Sequence, residues 1–153
     1  MQKILFSIVL LFLLSNSFAS CHSKSQTSDP IINSTISNNK MKIKIGEKVF
    51  IATLNDSPTA TAFKAMLPLT LTMNELNNNE KYAQLPKKLT TNASIPTSIQ
   101  SGDLMMYGSS TLVLFYKSFN TTYNYTKLGQ IDDINGILDG LGNDNVVVSF
   151  ELQ

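Results

Sequence analysis

Positions 40–153 lack the residue types that carry most nucleophilic and metal chemistry: histidine, cysteine, tryptophan and arginine do not occur there. Without an imidazole, neither a Ser-His-Asp nor a Cys-His relay can be assembled. Zinc sites built on His or Cys are excluded on the same ground. Phosphate-cradling loops of the form GxGxxG, or GxxxxGK followed by Ser or Thr, are also missing. The residues therefore name no catalytic set, no metal centre and no cofactor.

The chemistry that remains belongs to carboxylates, lysines, tyrosines and hydroxyls. Asn79-Glu80-Lys81-Tyr82 places a donor, an acid, a base and an aromatic ring in four consecutive residues. Asn77-Asn78-Asn79 reads as a loop, which places these four residues on a loop, where binding groups concentrate. The plainer reading is a polar loop with Glu80 solvated. Tyr107, Tyr116, Tyr123 and Tyr125 could line a groove, since each offers an apolar body with a polar tip. Core packing with hydroxyls at the rim is the competing reading. Two-carboxylate glycoside hydrolysis needs two acids facing one cleft about 5–10 Å apart, and Glu80 with Asp103 is the pair to check. Asp132, Asp133, Asp139 and Asp144 could supply an oxygen-only Ca²⁺ or Mg²⁺ site. A capped, solvated helix explains the same aspartates more simply, and Gly142-Asn143-Asp144-Asn145 reads as a turn.

The N-terminus speaks to compartment. Met1-Gln2-Lys3 is followed by an apolar run from Ile4 to Leu14 interrupted by Ser7, then by small and polar residues up to Cys21. The run is far short of the roughly 20 residues a membrane span needs, and it fits a signal peptide over residues 1–20. Ser17-Phe18-Ala19 suits ordinary signal cleavage, whereas Phe18-Ala19-Ser20-Cys21 resembles a bacterial lipobox. Cys21 is the single cysteine of the chain and stands where lipidation would use it. The expectation is an exported lipoprotein anchored at a membrane through acyl chains on Cys21, with plain secretion as the alternative. Residues 21–40 are rich in Ser, Thr and Asn, without an apolar period, and read as a flexible tether. The chain has 12 Lys+Arg, all lysine, against 11 Asp+Glu. No basic cluster occurs, so nucleic acid is not an expected partner and membrane contact is expected through the lipid alone.

The elements that must position the candidate residues follow from periodicity. Met41, Ile43 and Ile45 alternate with lysines. Gly46-Glu47 forms a two-residue turn, which sets Ile43 opposite Phe50 and Met41 opposite Ala52. Ser57 as N-cap and Pro58 at the first position start a helix over Thr59–Leu67, burying Ala62, Phe63, Met66 and Leu67. Leu69–Met73 and Tyr82–Leu85 read as strands, and 86–96 as irregular. Gly102-Asp103 opens a hairpin of Leu104–Tyr107 and Thr111–Tyr116. Its Leu112-Val113-Leu114-Phe115-Tyr116 run predicts burial on both faces. A strand runs from Tyr123 to Ile131. Asp132 or Asp133 caps a helix with the stripe Ile134, Ile137, Leu138, Leu141, stopped at Gly142. Val146–Leu152 is a last strand. Seven or eight strands and two helices predict one mainly β domain over 41–153, a closed or nearly closed barrel covered by helices.

From Met41 onward the chain resembles the small prokaryotic cyclophilin-like domain family. The stretches that carry the likeness are Phe50-x-Ala-Thr-Leu, Asn55-Asp56-x-x-Thr59-Ala60, Phe63 through Leu67-Pro68-Leu69, and Asn79-Glu80-Lys81-Tyr82. Gly102-Asp103-Leu104, Leu114-Phe115-Tyr116 and Leu128-Gly129-Gln130-Ile131 continue it. The resemblance implies a cyclophilin-like β-barrel of eight strands with two helices. True cyclophilins are prolyl isomerases, but the arginine, the histidines and the tryptophan of their active site have no counterpart here. Gln100-Ser101-Gly102-Asp103 is similar to their Gln-Gly-Gly-Asp, which adds Gln100 to the candidates. A guanidinium that polarises a prolyl amide is not replaced by a lysine elsewhere, and fold without site does not carry function. The expectation is a non-catalytic envelope module that binds a small molecule or an extended peptide through Asn79, Glu80, Tyr82, Gln100 and Tyr116. The alternative is a prolyl isomerase with a divergent active site.

Overall fold

The computed structural model describes residues 39–153. The segment expected to be a signal peptide, Cys21 and the expected tether, apart from its last two residues, lie outside the described residues. Strands β1 (Lys40–Ile45), β2 (Lys48–Leu54), β3 (Leu69–Leu76), β4 (Glu80–Gln84), β5 (Asp103–Tyr107), β6 (Thr111–Phe115), β7 (Thr126–Ile131) and β8 (Val146–Leu152) are joined by helices α1 (Pro58–Lys64) and α2 (Ile137–Leu141). All pairings are antiparallel, and the sheet closes in the order β1-β2-β7-β5-β6-β4-β3-β8, with β8 returning to β1. Closure leaves no sheet edge to protect.

The predicted first hairpin forms in its predicted register, Ile43 opposite Phe50 and Met41 opposite Ala52. Met41, Ile43 and Ile45 are wholly buried while Lys42 and Lys44 are exposed, so one face of each strand lines the barrel interior. Ser57 caps α1, its side chain accepting from Ala60 N–H, with Pro58 behind it. The helix is shorter than the apolar pattern suggests. Met66 N–H donates to Phe63 O and Leu67 N–H to Lys64 O, three-residue steps that tighten the chain ahead of Pro68. Phe63 is fully buried, and Ala62, Met66 and Leu67 are only partly so.

The second helix departs further from expectation. It spans only Ile137–Leu141 and is entered through Gly136 at φ 77. Neither aspartate caps it. Asp132 N–H extends the barrel pairing to Ile51 O, its carboxylate takes Lys40 Nζ at 2.7 Å and Thr53 Oγ1 at 2.6 Å, and Asp133 Oδ1 accepts from Asn135 N–H. Burial opposes the charge on Asp132, but Lys40 and Thr53 outweigh it and hold the carboxyl below its usual range. With only one turn of helix, Ile137 and Leu141 pack inward while Ile134 and Leu138 remain exposed. Strand β7 likewise starts at Thr126, leaving Tyr123 ahead of it on a loop.

The run at β6 is buried on both faces, as expected. Leu112 and Leu114 join the barrel core, and Val113 and Phe115 join a second cluster with Ile99, Met105 and Tyr125 on the outer face. That outer cluster exists because the segments 86–102 and 117–125 fold back over the barrel. They are pinned by isolated bridges between Ser94 and Tyr125 and between Ile99 and Phe119.

Barrel closure between β2 and β7 depends on Gly129, which pairs with Leu54. A Cβ there would overlap the Thr53 carbonyl oxygen and stand 2.9 Å from Leu54 Cα, both backbone atoms that cannot rotate away. Gly129→Ala is expected to destabilise the domain by about 3 kcal/mol or more, read as a fall in the urea midpoint. The same change at Gly46, where an added Cβ meets nothing, is expected to cost about 1 kcal/mol from its positive φ alone.

Candidate functional site

Alternation along β4 places Glu80, Tyr82 and Gln84 on the outer face and Lys81 and Ala83 in the barrel. Cross-strand register then builds a floor: Glu80 stands opposite Phe115, Tyr82 opposite Val113 and Gln84 opposite Thr111. The next strand adds Tyr107 opposite Thr111 and Met105 opposite Val113. Segment 119–125 forms one wall and the β3–β4 turn, Leu76 to Asn79, forms the other. The result is a cavity of about 710 Å³.

Its lining is aromatic and nearly free of charge. Tyr82, Tyr107, Phe119, Tyr123 and Tyr125 surround it, and Glu80 is the one ionisable acid among the lining residues. The Tyr107 ring meets Tyr123 edge-on, with centroids 6.2 Å apart at 88°, and lies 5.6 Å from Tyr125 at 49°. Tyr107 thus meets both neighbours at an angle rather than stacking flat, and Tyr125 also packs edge-on against Phe115. Burial, with Glu80, Tyr107 and Tyr123 adding to it, pushes the Tyr125 hydroxyl up to about 12, so it stays protonated.

Glu80 is 8% exposed. The ion pairs of the domain join Lys40 to Asp132, Lys48 to Asp139, Lys81 to Glu75 and Lys127 to Asp103, and none among the described residues reaches Glu80. No hydrogen bond to its carboxyl is present among them either. Burial first, and the charge of Glu75 second, push the Glu80 carboxyl up to about 7. Asn79, beside it in the lining, carries a buried Oδ1 that likewise has no hydrogen-bond partner among the described residues.

The turn that carries these groups is fixed from inside the barrel. Lys81 is fully buried, and its ammonium lies 2.6 Å from Glu75 Oε2 while donating to the carbonyls of Asp144 (2.6 Å) and Gly142 (3.2 Å). Glu75 also accepts from the Tyr116 hydroxyl at 2.8 Å and from Asn78 N–H at 2.8 Å. Burial works against the charge on Glu75, but hydrogen bonds from Lys81 and Tyr116 outweigh it and hold the carboxyl below its usual range. Asn77 and Asn78 take positive φ of 54° and 55°, a conformation asparagine tolerates better than most residues. Tyr116 N–H closes the set by donating to Asn79 O.

Of the sequence candidates, the fold brings Asn79, Glu80 and Tyr82 together in the cavity and joins them to Tyr107, Tyr123 and Tyr125. Tyr116 does not line it; its side chain points into the barrel and positions Glu75. Gln100 is exposed elsewhere, its Nε2 donating to Ser98 Oγ at 2.7 Å. Asp103 is also outside the cavity, 2.7 Å from Lys127 Nζ and accepting from Gln100 N–H, so it does not face Glu80 across a cleft. Asp132 and Asp139 pair with separate lysines, and no group of three His, Cys, Asp or Glu suited to a metal occurs among the described residues. Gln84, Thr111 and Phe119 escaped the sequence reading. Gln84 could have been found by continuing the period-two step from Glu80 and Tyr82.

Glu80 ties stability to pH. Its carboxyl is raised from 4.5 to about 7 in the fold, so its contribution is fully present below pH 4.5 and is lost as pH rises through 7. Glu80 shares the cavity lining with tyrosines 82, 107, 123 and 125, while Glu75 and Tyr116 act on it from the barrel side, and no lysine is among the lining residues. Glu80→Gln is therefore expected to raise the thermal midpoint by several degrees at pH 8 and to change it little at pH 4.5. Scanning both proteins at the two pH values checks this.

The comparisons agree with this architecture. The model of the cyclophilin-like family matches residues 43–151. Among solved structures, the solution structure of a hypothetical protein from Archaeoglobus fulgidus is similar with a TM-score of 0.51 at 19% identity, over 76% of this chain and 95% of that one. At that identity the likeness concerns the fold. Among curated proteins no significant match is found. A family match that spans the whole barrel, from β1 to β8, establishes that the chain belongs to the cyclophilin-like family.

Proposed function

We propose that the domain is a non-catalytic binding module that holds a small, apolar-bodied molecule in the outer-face cavity. The observation that carries this reading is the cavity itself. Its 710 Å³ is the size of a small-molecule site, and five aromatic rings share its lining with amides, hydroxyls and one acid. The chain contains no arginine and no histidine beyond His22, so the guanidinium and imidazole of a prolyl isomerase site are not supplied, whereas rings and amides that orient a ligand are. An extended peptide presenting an apolar side chain would use the same floor.

We propose further that the module works at the cell envelope, exported by the N-terminal segment and held by lipid on Cys21. The apolar run of residues 4–14 and the lone cysteine after it support this. In a bacterial host the wild-type chain is expected in the membrane fraction, and Cys21→Ser is expected to move it to the soluble fraction; equal partition of the two would sink the anchoring.

Ligand binding is tested on the full chain by thermal shift against small organic molecules and short peptides. A compound at 100 times its Kd is expected to add about 2.7 kcal/mol, a shift of several degrees for a domain of this size. Tyr82→Ala, which removes floor and wall, and Thr111→Trp, which fills the cavity, are both expected to weaken a hit at least tenfold. Hits that survive both variants, or a screen without any, would overturn the assignment to this cavity.

A further inference from the structure

The charge pattern of the cavity points to a class of ligand. Resting on the binding-module reading above, we infer that the site takes a protonated amine carried on an apolar or aromatic body. Three independent features converge on it. Glu80 is 8% exposed, and among the described residues no cation or hydrogen-bond donor reaches its carboxyl. Among the described residues the other buried acid, Asp103, is matched by Lys127, and the half-buried Glu75 by Lys81. A buried charge without a partner is costly, and a ligand cation would supply what the fold withholds.

The second feature is Asn79, whose buried Oδ1 lines the same cavity and lacks a donor. Carboxylate and amide oxygen together make a pair of acceptors, which matches an ammonium that still carries N–H groups. The third is the ring set. Tyr107, Tyr123 and Tyr125 stand at steep mutual angles around the lining, and tyrosine faces attract cations within about 6 Å. No lysine lines the cavity to compete for the acid or to repel the ligand. An anionic ligand would meet the Glu80 carboxylate and ring faces of negative potential, with neutral amides and hydroxyls but no cation among the lining residues.

The test compares three probes of one shape on the full chain at pH 8, where the Glu80 carboxyl is charged: 2-phenylethylamine, the neutral 2-phenylethanol, and the anionic phenylacetate. Binding is read by isothermal titration calorimetry. The amine is expected to bind at least tenfold more tightly than the alcohol, with phenylacetate weakest. That preference is expected to fall to about unity in Glu80→Gln. A second readout needs no variant. The affinity of wild type for the amine is expected to weaken at least tenfold from pH 8 to pH 5.5 as Glu80 takes up its proton, while that for the alcohol stays flat. Near pH 6.5, titrations in buffers of different ionisation heat are expected to show proton release on amine binding. Equal affinity for amine and alcohol, or tighter phenylacetate, would overturn the inference and leave the cavity as a neutral apolar site. Failure of all three probes to bind would overturn the cavity reading along with it.

Discussion

Lys81 carries a full positive charge into the end of the barrel, and the register of β4 depends on where that charge is satisfied. Its ammonium finds Glu75 and the carbonyls of Gly142 and Asp144. Side chains alternate along a strand, so a slip of one residue would expose the wrong face throughout. Holding Lys81 inside therefore holds Glu80, Tyr82 and Gln84 outside. The same Glu75 that receives Lys81 also receives Tyr116 and the backbone of Asn78, so one buried cluster sets the strand, the turn before it and the rim of the cavity.

Two adjacent charged residues on one strand thus meet opposite fates. Lys81 is paired within the barrel; Glu80 is buried on the outer face without an ion-pair partner among the described residues. Buried ion pairs add little net stability, since desolvation offsets much of their attraction, but they specify geometry by making alternatives worse. That is the use of the Lys81–Glu75 pair here. The negative charge of Glu75 also acts through the strand and, with burial, makes Glu80 harder to ionise.

The barrel also shows how a strand buried on both faces serves two layers. Leu112 and Leu114 fill the interior, while Val113 and Phe115 support an outer cluster beneath loops 86–102 and 117–125. Those loops would have nothing to fold against if the outer face were polar. The bridges at Ser94 and Ile99 tether them, and Phe119, Tyr123 and Tyr125 come to stand over the floor made by β4, β6 and β5. A closed barrel supplies a rigid wall for such a site without placing ligand groups in its packed interior.

The amino-acid sequence by itself determined much of the barrel. Period-two alternation, the Gly46 turn, the Ser57–Pro58 helix start and the two-sided run at β6 are local signals, and local sterics suffice to enforce them. Asn79, Glu80 and Tyr82 were legible as candidates because four chemically distinct residues stood together. Other features needed the tertiary structure. Asp132 looked like a helix cap but is drawn to Lys40 and Thr53, distant in sequence, which together with Gly136 cuts the second helix to one turn. Tyr116 looked like a groove residue, yet its position after β6 turns it inward to Glu75. Which tyrosines share a cavity, and that Glu80 lacks a partner while Lys81 has three, follow from pairings across the sheet and from loops folding over it. Periodicity assigns a residue to a face; only closure of the barrel decides what that face meets.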